Sequence, residues 1–382
     1  MRPFVGETER ELARAVAEWS AGLTERIPIA EKEGVIPRDL IAELGRLGVL
    51  GMRIPEADGG LGASAFAFVL VLEELAAAWP SLAVAVAVNS GIVAGSIARH
   101  GTASQRARWL PRLMDGSGLG AFALTEPISG SDAASLRATA RQDAGGWRLD
   151  GTKQFITNAR YAPLAIVFAR VGVPDPARPS GGITAFIVPL DVPGVSVGPP
   201  ERKLGLKASD TSALTLDDVR VEGDAVLGEA GKGFALAMWG LDGGRINIAA
   251  QSVGIARRAL ELARSYARER RQFGRPIADF EGLRFRIAKA ETDLAAARLL
   301  VLRAAWLRDS GKPYTREAAM AKLYASEMAQ RATHAAVQIL GGNGYMRDYA
   351  VERYARDGRA TTIYEGTSEI QRIVIARSLT AA

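Results

Sequence analysis

Hydrophobic periodicity changes twice along this chain of 382 residues, and this change constrains the fold more than any other feature. Apolar residues recur at helical spacing to about residue 118, short runs bounded by Gly, Pro, Asp and Ser follow to about residue 225, and long helical patterns resume from Gly233. The length exceeds the roughly 250–300 residues at which a single core usually splits. We therefore predict an α+β protein of three domains: a helical domain at 1–118, an antiparallel barrel or sandwich at 119–225 and a helical domain at 226–382.

Composition and charge argue against several classes of site and partner. The sequence has no Cys and only two histidines, His100 and His334, which excludes thiol chemistry and argues against a metal site. The arginines are dispersed along amphipathic segments despite a net charge of +6, so we expect no nucleic-acid partner. The segment GEAGKGF at 228–234 lacks P-loop spacing and no GxSxG motif lies near the histidines, which argues against a P-loop or Rossmann site and against a hydrolase triad.

One long apolar stretch, Leu82–Ile97, requires a separate interpretation. It is rich in small residues, which predicts a buried helix rather than a membrane span. The N-terminal sequence is charged and helix-patterned, without the apolar core and cleavage site of a secretory signal. We expect a cytoplasmic protein with no membrane span.

A single carboxylate, Glu365, lies on a Tyr-Glu-Gly turn in the segment TTIYEGTSEIQR at 361–372. Such a carboxylate is a candidate general base, provided that a partner accepts what the broken C–H bond leaves behind. It could equally be a surface carboxylate near the N-terminus of the last helix, where negative charge is favoured. Thr367 or Ser368 would then cap that helix in the ordinary way. The turn alone leaves both interpretations open.

Several other segments place polar groups at the ends of predicted elements. AFALTEPISGSD at 121–132 and KQFITNA at 153–159 could hold a phosphate or the edge of a planar ring, although a polar turn and a cross-strand packing pair explain them as well. Arg270 and the glycines at 341–344 follow predicted helices, where a carbonyl-binding Arg and a Gly cap are the simpler interpretation. Asp242 and Arg245 lie three apart on one helical face, and an exposed ion pair would explain them.

Seven motifs occur in a single order along the chain: LTEPISGSD, KQFITNA, KLGLKASDTSALTLDDVRV, GKGFALAMWGLDGGR, RRQFGRPI, QILGGNGY and IYEGTSEIQ. Together with PEADGGLG in the N-terminal region, this set resembles the acyl-CoA dehydrogenase family over nearly the whole chain, most closely its short-chain and branched short-chain members. The resemblance implies a helical N-terminal domain, a central β-barrel domain and a C-terminal four-helix bundle. It also implies one FAD per subunit, bound between domains and subunits of a homotetramer that is a dimer of dimers. Electrons would pass to electron-transferring flavoprotein, in fatty acid or branched-chain amino acid catabolism.

Carried over by position, the resemblance implies FAD contacts in four groups and a smaller set of substrate contacts. The implied FAD contacts are Phe122, Leu124, Thr125, Gly130 and Ser131; Phe155, Ile156 and Thr157; Arg270, Phe273, Gln338, Ile339, Gly341 and Gly342, which would reach the FAD of a neighbouring subunit; and Thr367 with Glu369. The implied acyl-CoA contacts are Ser131, Asp242, Arg245 and Gly366.

The resemblance also implies a reaction in which Glu365 removes the α-proton of an acyl-CoA while FAD N5 accepts the β-hydride, giving a trans-2-enoyl-CoA. Burial under an apolar acyl chain should raise the pKa of Glu365 toward working pH. Isovaleryl and long-chain members carry the base just before the Arg of the LDxxR motif, where this chain has Gly244, so Glu365 has no competitor. Glutaryl-type members place an Arg near the position of Glu73, which disfavours a dicarboxylyl substrate.

Three alternative functions stay open. The chain could be a flavin oxidase or monooxygenase on the same fold, a dehydrogenase acting on an acyl group carried by a protein-bound pantetheine, or a non-catalytic scaffold. The sequence does not fix the length or branching of the acyl chain.

Overall fold

In the computed structural model, which describes residues 6–380, helices make up the first and last parts of the chain and strands make up the middle. This order confirms the three-part architecture predicted from periodicity. Residues 1–5 of the predicted N-terminal domain and residues 381–382 of the C-terminal domain lie outside the described residues.

The N-terminal part consists of seven α-helices, with a π-helical segment between the fifth and sixth. They are α1 (Glu7–Ala21), α2 (Arg26–Glu33), α3 (Arg38–Arg46), α4 (Ala65–Ala78), α5 (Pro80–Val86), the π-helical segment (Ala87–Ala94), α6 (Gly95–His100) and α7 (Ala103–Met114). Pro37 and Pro80 stand at the starts of α3 and α5, because proline is tolerated where a helix begins. The Ser64 hydroxyl caps α4 by accepting a hydrogen bond from the Ala67 N–H at 3.0 Å.

The run Pro80–His100 is long and apolar enough to cross a membrane by length and composition, and it is the one such run found among residues 6–380. However, 89% of its most apolar window is buried inside the protein. The prediction of a buried helix over Leu82–Ile97 is thus confirmed, and this helix supplies one wall of the site described below.

The middle part is a seven-stranded sheet with the order β1-β4-β2-β3-β7-β6, in which β5 also pairs with β4. The strands are β1 (Ala121–Ala123), β2 (Thr139–Asp143), β3 (Gly146–Thr157), β4 (Leu164–Val171), β5 (Ile183–Pro189), β6 (Val195–Pro200) and β7 (Thr211–Glu222). The sheet is mixed rather than purely antiparallel, because β4 runs parallel to both β1 and β2. Strand β1, whose end carries several predicted cofactor contacts, stands at one end of this order and pairs with β4.

The C-terminal part is a bundle of long helices followed by two short ones. Its elements are α8 (Gly233–Glu269), the hairpin strands β8 (Arg271–Gln272) and β9 (Arg275–Pro276), α9 (Glu281–Asp309), α10 (Thr315–Leu340), α11 (Val351–Gly358) and α12 (Ser368–Thr380). Turns at Gly274 and Gly311 separate α8, α9 and α10, and the glycine segment from Gly341 follows α10.

Helix α8 joins the three parts of the molecule. It packs on α4 in one buried cluster and on β5 and the helix Pro80–His100 in another. The Asp357 carboxylate of α11 accepts a hydrogen bond from the Leu206 N–H at 2.6 Å, which ties the bundle to the loop before β7. Any group on the central face of α8 is therefore surrounded by all three domains.

Candidate active site

Glu365 lies over Gly244 at the centre of α8. A Cβ added to Gly244 would overlap the carboxylate, 2.8 Å from Cδ of Glu365, and would lie 3.1 Å from the Cδ1 of Ile92 in the π-helical segment. The absence of a side chain at position 244 therefore makes the space that the carboxylate fills. The Oε2 atom of Glu365 is buried and has no hydrogen-bond partner among the described residues.

Hydrogen bonds to its carbonyl groups hold the turn that carries Glu365. The Lys322 ammonium, buried on α10, donates to the Gly366 carbonyl at 2.7 Å. The Gln371 amide of α12 donates to the same carbonyl at 2.8 Å and to the Glu365 carbonyl at 3.3 Å. The Thr367 hydroxyl accepts from the Ile370 N–H at 3.3 Å, so the cap predicted for the last helix is present. With its carbonyls bound on this side, the Glu365 N–H has no acceptor in the described chain.

Glu365 adopts a left-handed backbone conformation, with φ of 52°. Six non-glycine residues among those described have positive φ, and three of them, Phe155, Phe273 and Glu365, are residues that the sequence predicts to be functional. Such conformations are costly and concentrate at functional sites. The positive φ values of Phe155, Phe273 and Glu365 thus occur at positions that the motifs also predict to be functional.

Burial and two nearby cations set the ionisation of this site. Burial raises the pKa of Glu365 to about 7, and the positive charges of Lys322 and Arg245 oppose that rise. Burial lowers the pKa of Lys322 to about 8, while the charge of Glu365 opposes the fall. A carboxylate with a pKa near neutrality is suited to accept a proton and to give it up again.

The end of β1 and the end of β3 lie side by side across from α8. The Gln154 N–H donates to the Thr125 carbonyl at 2.9 Å, and Phe122 lies 3.9 Å from the place of a Cβ on Gly240, one turn of α8 before Gly244. A buried ion pair underlies this junction, since the Lys153 ammonium contacts the Glu126 carboxylate at 2.7 Å. The strand ends are therefore held rigidly beside the Glu365 turn.

These strand ends present an aromatic ring and an open polar turn. Between Lys153 and Ile156 the pairing of β3 with β7 is interrupted, and Phe155 projects from this irregularity with 58% of its surface exposed. Gly130 and Ser131 are exposed, and nothing lies within 4 Å of a Cβ added at Gly130. An exposed ring beside unpaired backbone and an uncrowded polar turn fits a large planar cofactor with phosphates, such as FAD.

The structure limits how some predicted cofactor residues could act. Leu124, Ile156 and Ile339 are buried in hydrophobic clusters, so their side chains are not free to contact a cofactor. Thr125, Thr157 and Thr367 are half-buried, and Glu369 is exposed in the first turn of α12. Side chains alternate between two faces along a strand and recur on one face of a helix, which accounts for the burial of Leu124, Ile156 and Ile339.

A second group of predicted FAD contacts lies far from Glu365. Arg270 and Phe273 follow the end of α8, 25 residues beyond Gly244, or about 37 Å along the axis. The Asn343 amide donates to the Tyr266 hydroxyl at 2.9 Å, which brings the Gln338–Gly342 segment to the same end of the bundle. Phe273 is 93% exposed, and no Cβ at Gly341 or Gly342 would meet another atom within 4 Å. Within one chain, Arg270 and Phe273 therefore lie far from the Glu365 turn.

The two predicted acyl-CoA contacts on α8 form a buried ion pair rather than the exposed one considered from sequence. The Arg245 guanidinium donates to the Asp242 carboxylate, which also accepts from the Thr315 hydroxyl at 2.6 Å. Arg245 is buried, and its Nε has no hydrogen-bond partner among residues 6–380. Its charge acts directly on Glu365.

Glu73 is a structural residue here, and the substrate argument drawn from it is wrong. Its buried carboxylate pairs with Arg298 at 2.7 Å and with Arg257 at 3.2 Å. This ion cluster joins α4 to α8 and α9, and Glu73 lies beside Gly254, ten residues beyond Gly244 on α8. The identity of residue 73 therefore gives no information about a distal carboxylate on the substrate.

Sequence reasoning missed two residues that hold the turn, Lys322 and Gln371. Lys322 stands in an alanine-rich helical run with Ala318, Ala319 and Ala325, all buried. A lysine on the apolar stripe of a helix is a signal that could have identified it, because a buried ammonium needs a partner. Gln371 gives no such signal, since it follows a turn in ordinary helical sequence.

Comparison with known proteins identifies the family. Domain models described as acyl-CoA dehydrogenase N-terminal, middle and C-terminal domains match residues 6–117, 121–219 and 231–380. The chain is 44% identical to the short-chain specific acyl-CoA dehydrogenase of Mus musculus, over 98% of this chain and 90% of that protein.

Solved structures show the same fold. Butyryl-CoA dehydrogenase from Megasphaera elsdenii aligns with a TM-score of 0.95 at 39% identity, covering 98% of both chains. A chain in the structure of the electron transferring flavoprotein of Acidaminococcus fermentans aligns with a TM-score of 0.95 at 39% identity, covering 99% of both chains. This chain therefore belongs to the acyl-CoA dehydrogenase family, whose enzymes bind FAD and oxidise acyl-CoA thioesters.

Proposed function

We propose that this enzyme oxidises short-chain acyl-CoA thioesters to trans-2-enoyl-CoA with Glu365 as the base that removes the α-proton. The observation that carries the proposal is the buried, unpartnered Oε2 of Glu365, held over Gly244 where the three domains meet. A buried carboxylate without a partner is unfavourable unless a ligand supplies one.

The chain's own groups provide the proton transfer and the binding of negative charge. Glu365 accepts the proton from C2, and its pKa of about 7 keeps it ionised at slightly alkaline pH. Bound FAD would supply the acceptor for the hydride from C3, so that the substrate would lose one proton and one hydride and gain the C2–C3 double bond. The free N–H of Glu365 can donate to the thioester oxygen as that oxygen gains charge. Losing one such donor typically costs about 3–4 kcal/mol of transition-state stabilisation.

A short acyl chain is supported by the walls of the site and by the relatives. Ile92 lies against the space that the carboxylate occupies, and Phe68 closes the region one turn further along α8. The relatives at about 44% identity are named as short-chain specific enzymes, and one solved neighbour is a butyryl-CoA dehydrogenase.

We also propose a homotetramer in which each FAD contacts two subunits. The distance of about 37 Å along α8 between Gly244 and the helix end that precedes Arg270 and Phe273 supports this assembly, because a second copy would bring these two residues to the cofactor. Exposed apolar side chains on α9, Phe285, Leu299 and Trp306, offer a surface for the contact between copies. Transfer of electrons to an electron-transferring flavoprotein is supported by the Acidaminococcus neighbour.

The test is steady-state turnover of the FAD-loaded protein with a panel of acyl-CoAs, comparing an electron-transferring flavoprotein with O₂ as acceptor. We expect the highest kcat/KM with butyryl-CoA or isobutyryl-CoA and slow reoxidation by air. Glu365→Gln should retain FAD and lose turnover. Fast oxidation by O₂ would indicate an oxidase or monooxygenase, and full activity of the variant would refute the assignment of the base.

A further inference from the structure

Asn247 is a buried amide for which the structure provides no partner. It is 2% exposed, and its Nδ2 atom has no hydrogen bond to any described residue. Buried polar side chains are nearly always hydrogen-bonded in proteins, so each exception requires an explanation such as a bound ligand or water. Its position in the fold indicates which explanation applies.

The amide lies on the same face of α8 as Gly244, one turn further along. Three residues of helix correspond to an advance of about 4.5 Å along the axis, and residues three apart are neighbours on the helix surface. A Cβ added to Gly91 would overlap the Asn247 amide, 3.3 Å from its Cγ, and would lie 3.4 Å from Cε1 of Phe68. Asn247 therefore stands next to the place that Glu365 occupies, between Gly91 and Phe68.

The wall opposite Asn247 is the π-helical segment Ala87–Ala94, which contains both Gly91 and Ile92. Segments of π-helix are rare and frequent at functional sites, because they displace side chains from the ordinary helical positions. Here the segment places Ile92 against Glu365 and leaves Gly91 without a side chain against the amide. The carboxylate of Glu365 thus has an apolar neighbour, Ile92, and a polar amide, Asn247, lies one turn further along α8.

This separation matches the length of a short acyl chain. Glu365 removes a proton from C2, so a distance of about 4.5 Å along α8 brings Asn247 close to an atom attached to C4. A plain alkyl chain that fills this space would leave the amide unpaired, which is unfavourable in a buried site. An oxygen at the same position would accept the hydrogen bond that Nδ2 lacks.

We propose that Asn247 determines specificity and makes the acyl pocket favour short acyl groups that carry a hydrogen-bonding oxygen on C4 over alkyl chains of the same length. The inference rests on the proposed function, since it names the substrate class of that site. Asn247 binds and positions the end of the acyl group, while Glu365 remains the base.

Pentanoyl-CoA and 4-hydroxybutyryl-CoA provide a matched pair for the test, because they have the same number of heavy atoms and differ by a methyl group against a hydroxyl. We expect the wild-type enzyme to show a ratio of kcat/KM, hydroxy to alkyl, about tenfold higher than Asn247→Leu, which has a similar size and no amide. The control is Ile246→Leu, an apolar substitution at the neighbouring buried position in the core between α4 and α8, which should leave the ratio at the wild-type value.

A binding measurement accompanies the kinetics, so that the inference does not depend on turnover. The dissociation constants of both thioesters for the FAD-loaded Glu365→Gln protein are measured from the change in flavin absorption, with and without the Asn247→Leu substitution. Weaker binding of only the hydroxy compound in Asn247→Leu supports the inference. Equal hydroxy-to-alkyl ratios in wild type and Asn247→Leu would overturn the inference and show that the amide binds only a structural water. Turnover of either thioester would still leave the proposed function standing. Absence of turnover with every acyl-CoA would overturn the proposed function, and the binding data would still decide the role of Asn247.

Discussion

Gly244 and Glu365 share a single space, because a Cβ on Gly244 would overlap the carboxylate of Glu365. In the family that the sequence resembles, the base is expected at one of two positions. These positions correspond to Glu365 on the turn and to Gly244, just before Arg245, on α8. In this chain the two positions converge, so that a side chain at position 244 would displace the Glu365 carboxylate. Substitutions at Gly244 therefore test directly where the base must lie.

Gly244→Ala should impair catalysis without much loss of stability. The atoms that the new methyl group would meet are the end of a flexible side chain, so the Glu365 carboxylate can move aside at little cost. A displacement of about 1 Å at a reacting group can lower the rate about a hundredfold. We expect kcat to fall by about that factor, while the melting temperature and the FAD content stay near the wild-type values. A variant with wild-type kcat would contradict this account of the site.

The base can also be moved to the helix. In the double variant Gly244→Glu with Glu365→Gly, the new carboxylate would enter the space that Glu365 leaves, and glycine suits the left-handed backbone at position 365. We expect the double variant to turn over butyryl-CoA at least about tenfold faster than Glu365→Gly alone. Equal rates for the two proteins would show that the two positions do not serve the same substrate carbon.

Lys322 should control the pH dependence of the reaction. The pKa of Glu365 is raised by burial to about 7 and held down by Lys322 and Arg245, so kcat/KM should rise with pH and level off above about 7. Removing the ammonium in Lys322→Met removes one of the two opposing charges, which should shift this rise to higher pH.

Two further variants separate charge from geometry at Lys322. Lys322→Gln keeps a donor for the Gly366 carbonyl without the charge, so it should shift the profile as Lys322→Met does while losing less of kcat. Lys32→Met, at an exposed position of α2, should leave the profile unchanged. An unchanged profile in Lys322→Met, with only a lower kcat, would reduce Lys322 to a structural role.

Asp357 should make the protein less stable as pH rises. Burial and the nearby Glu31 raise the pKa of its carboxyl group to about 7, against the positive charges of Arg353 and Arg356. A carboxyl with a raised pKa stabilises the folded state below its unfolded pKa of about 3.9, and this contribution is lost as pH rises through about 7.

Asp357→Asn keeps an acceptor for the Leu206 N–H and cannot ionise. We therefore expect its melting temperature, relative to wild type, to be higher at pH 8.5 than at pH 5.5. The measurement is thermal unfolding of the FAD-loaded proteins at both pH values. A difference that does not change between these pH values would show that the carboxyl group does not titrate in the folded protein.

The sequence predicted the order of the elements well where side-chain patterns are strong. Long helical patterns and glycine breaks predicted α8, α9 and α10 and their loops. Strand β6 has the sequence VSVGPP, which does not predict a strand because Pro199 and Pro200 are atypical of strands. The structure accommodates them because β6 pairs with β7 alone, and an edge strand tolerates proline.

The site was predicted in part, for a physical reason. The motif around Glu365 indicated a functional turn, but its contact with Gly244 joins residues 121 positions apart in the sequence, and periodicity carries no information about such contacts. The same limit explains Glu73, whose pairing with Arg257 and Arg298 depends on how α4, α8 and α9 pack.

The most direct test of the central claim measures removal of the α-proton by itself. The thioester (methylthio)acetyl-CoA has sulfur in place of C3 and so has no β-hydrogen to lose, while its C2 protons can still be abstracted. NMR in D₂O follows deuterium entering C2 in the presence of the FAD-loaded wild-type protein or of Glu365→Gln. We predict rapid exchange with the wild-type protein and a loss of about a thousandfold in the variant, with FAD retained in both. Equal exchange rates in the two proteins would contradict the assignment of Glu365 as the base.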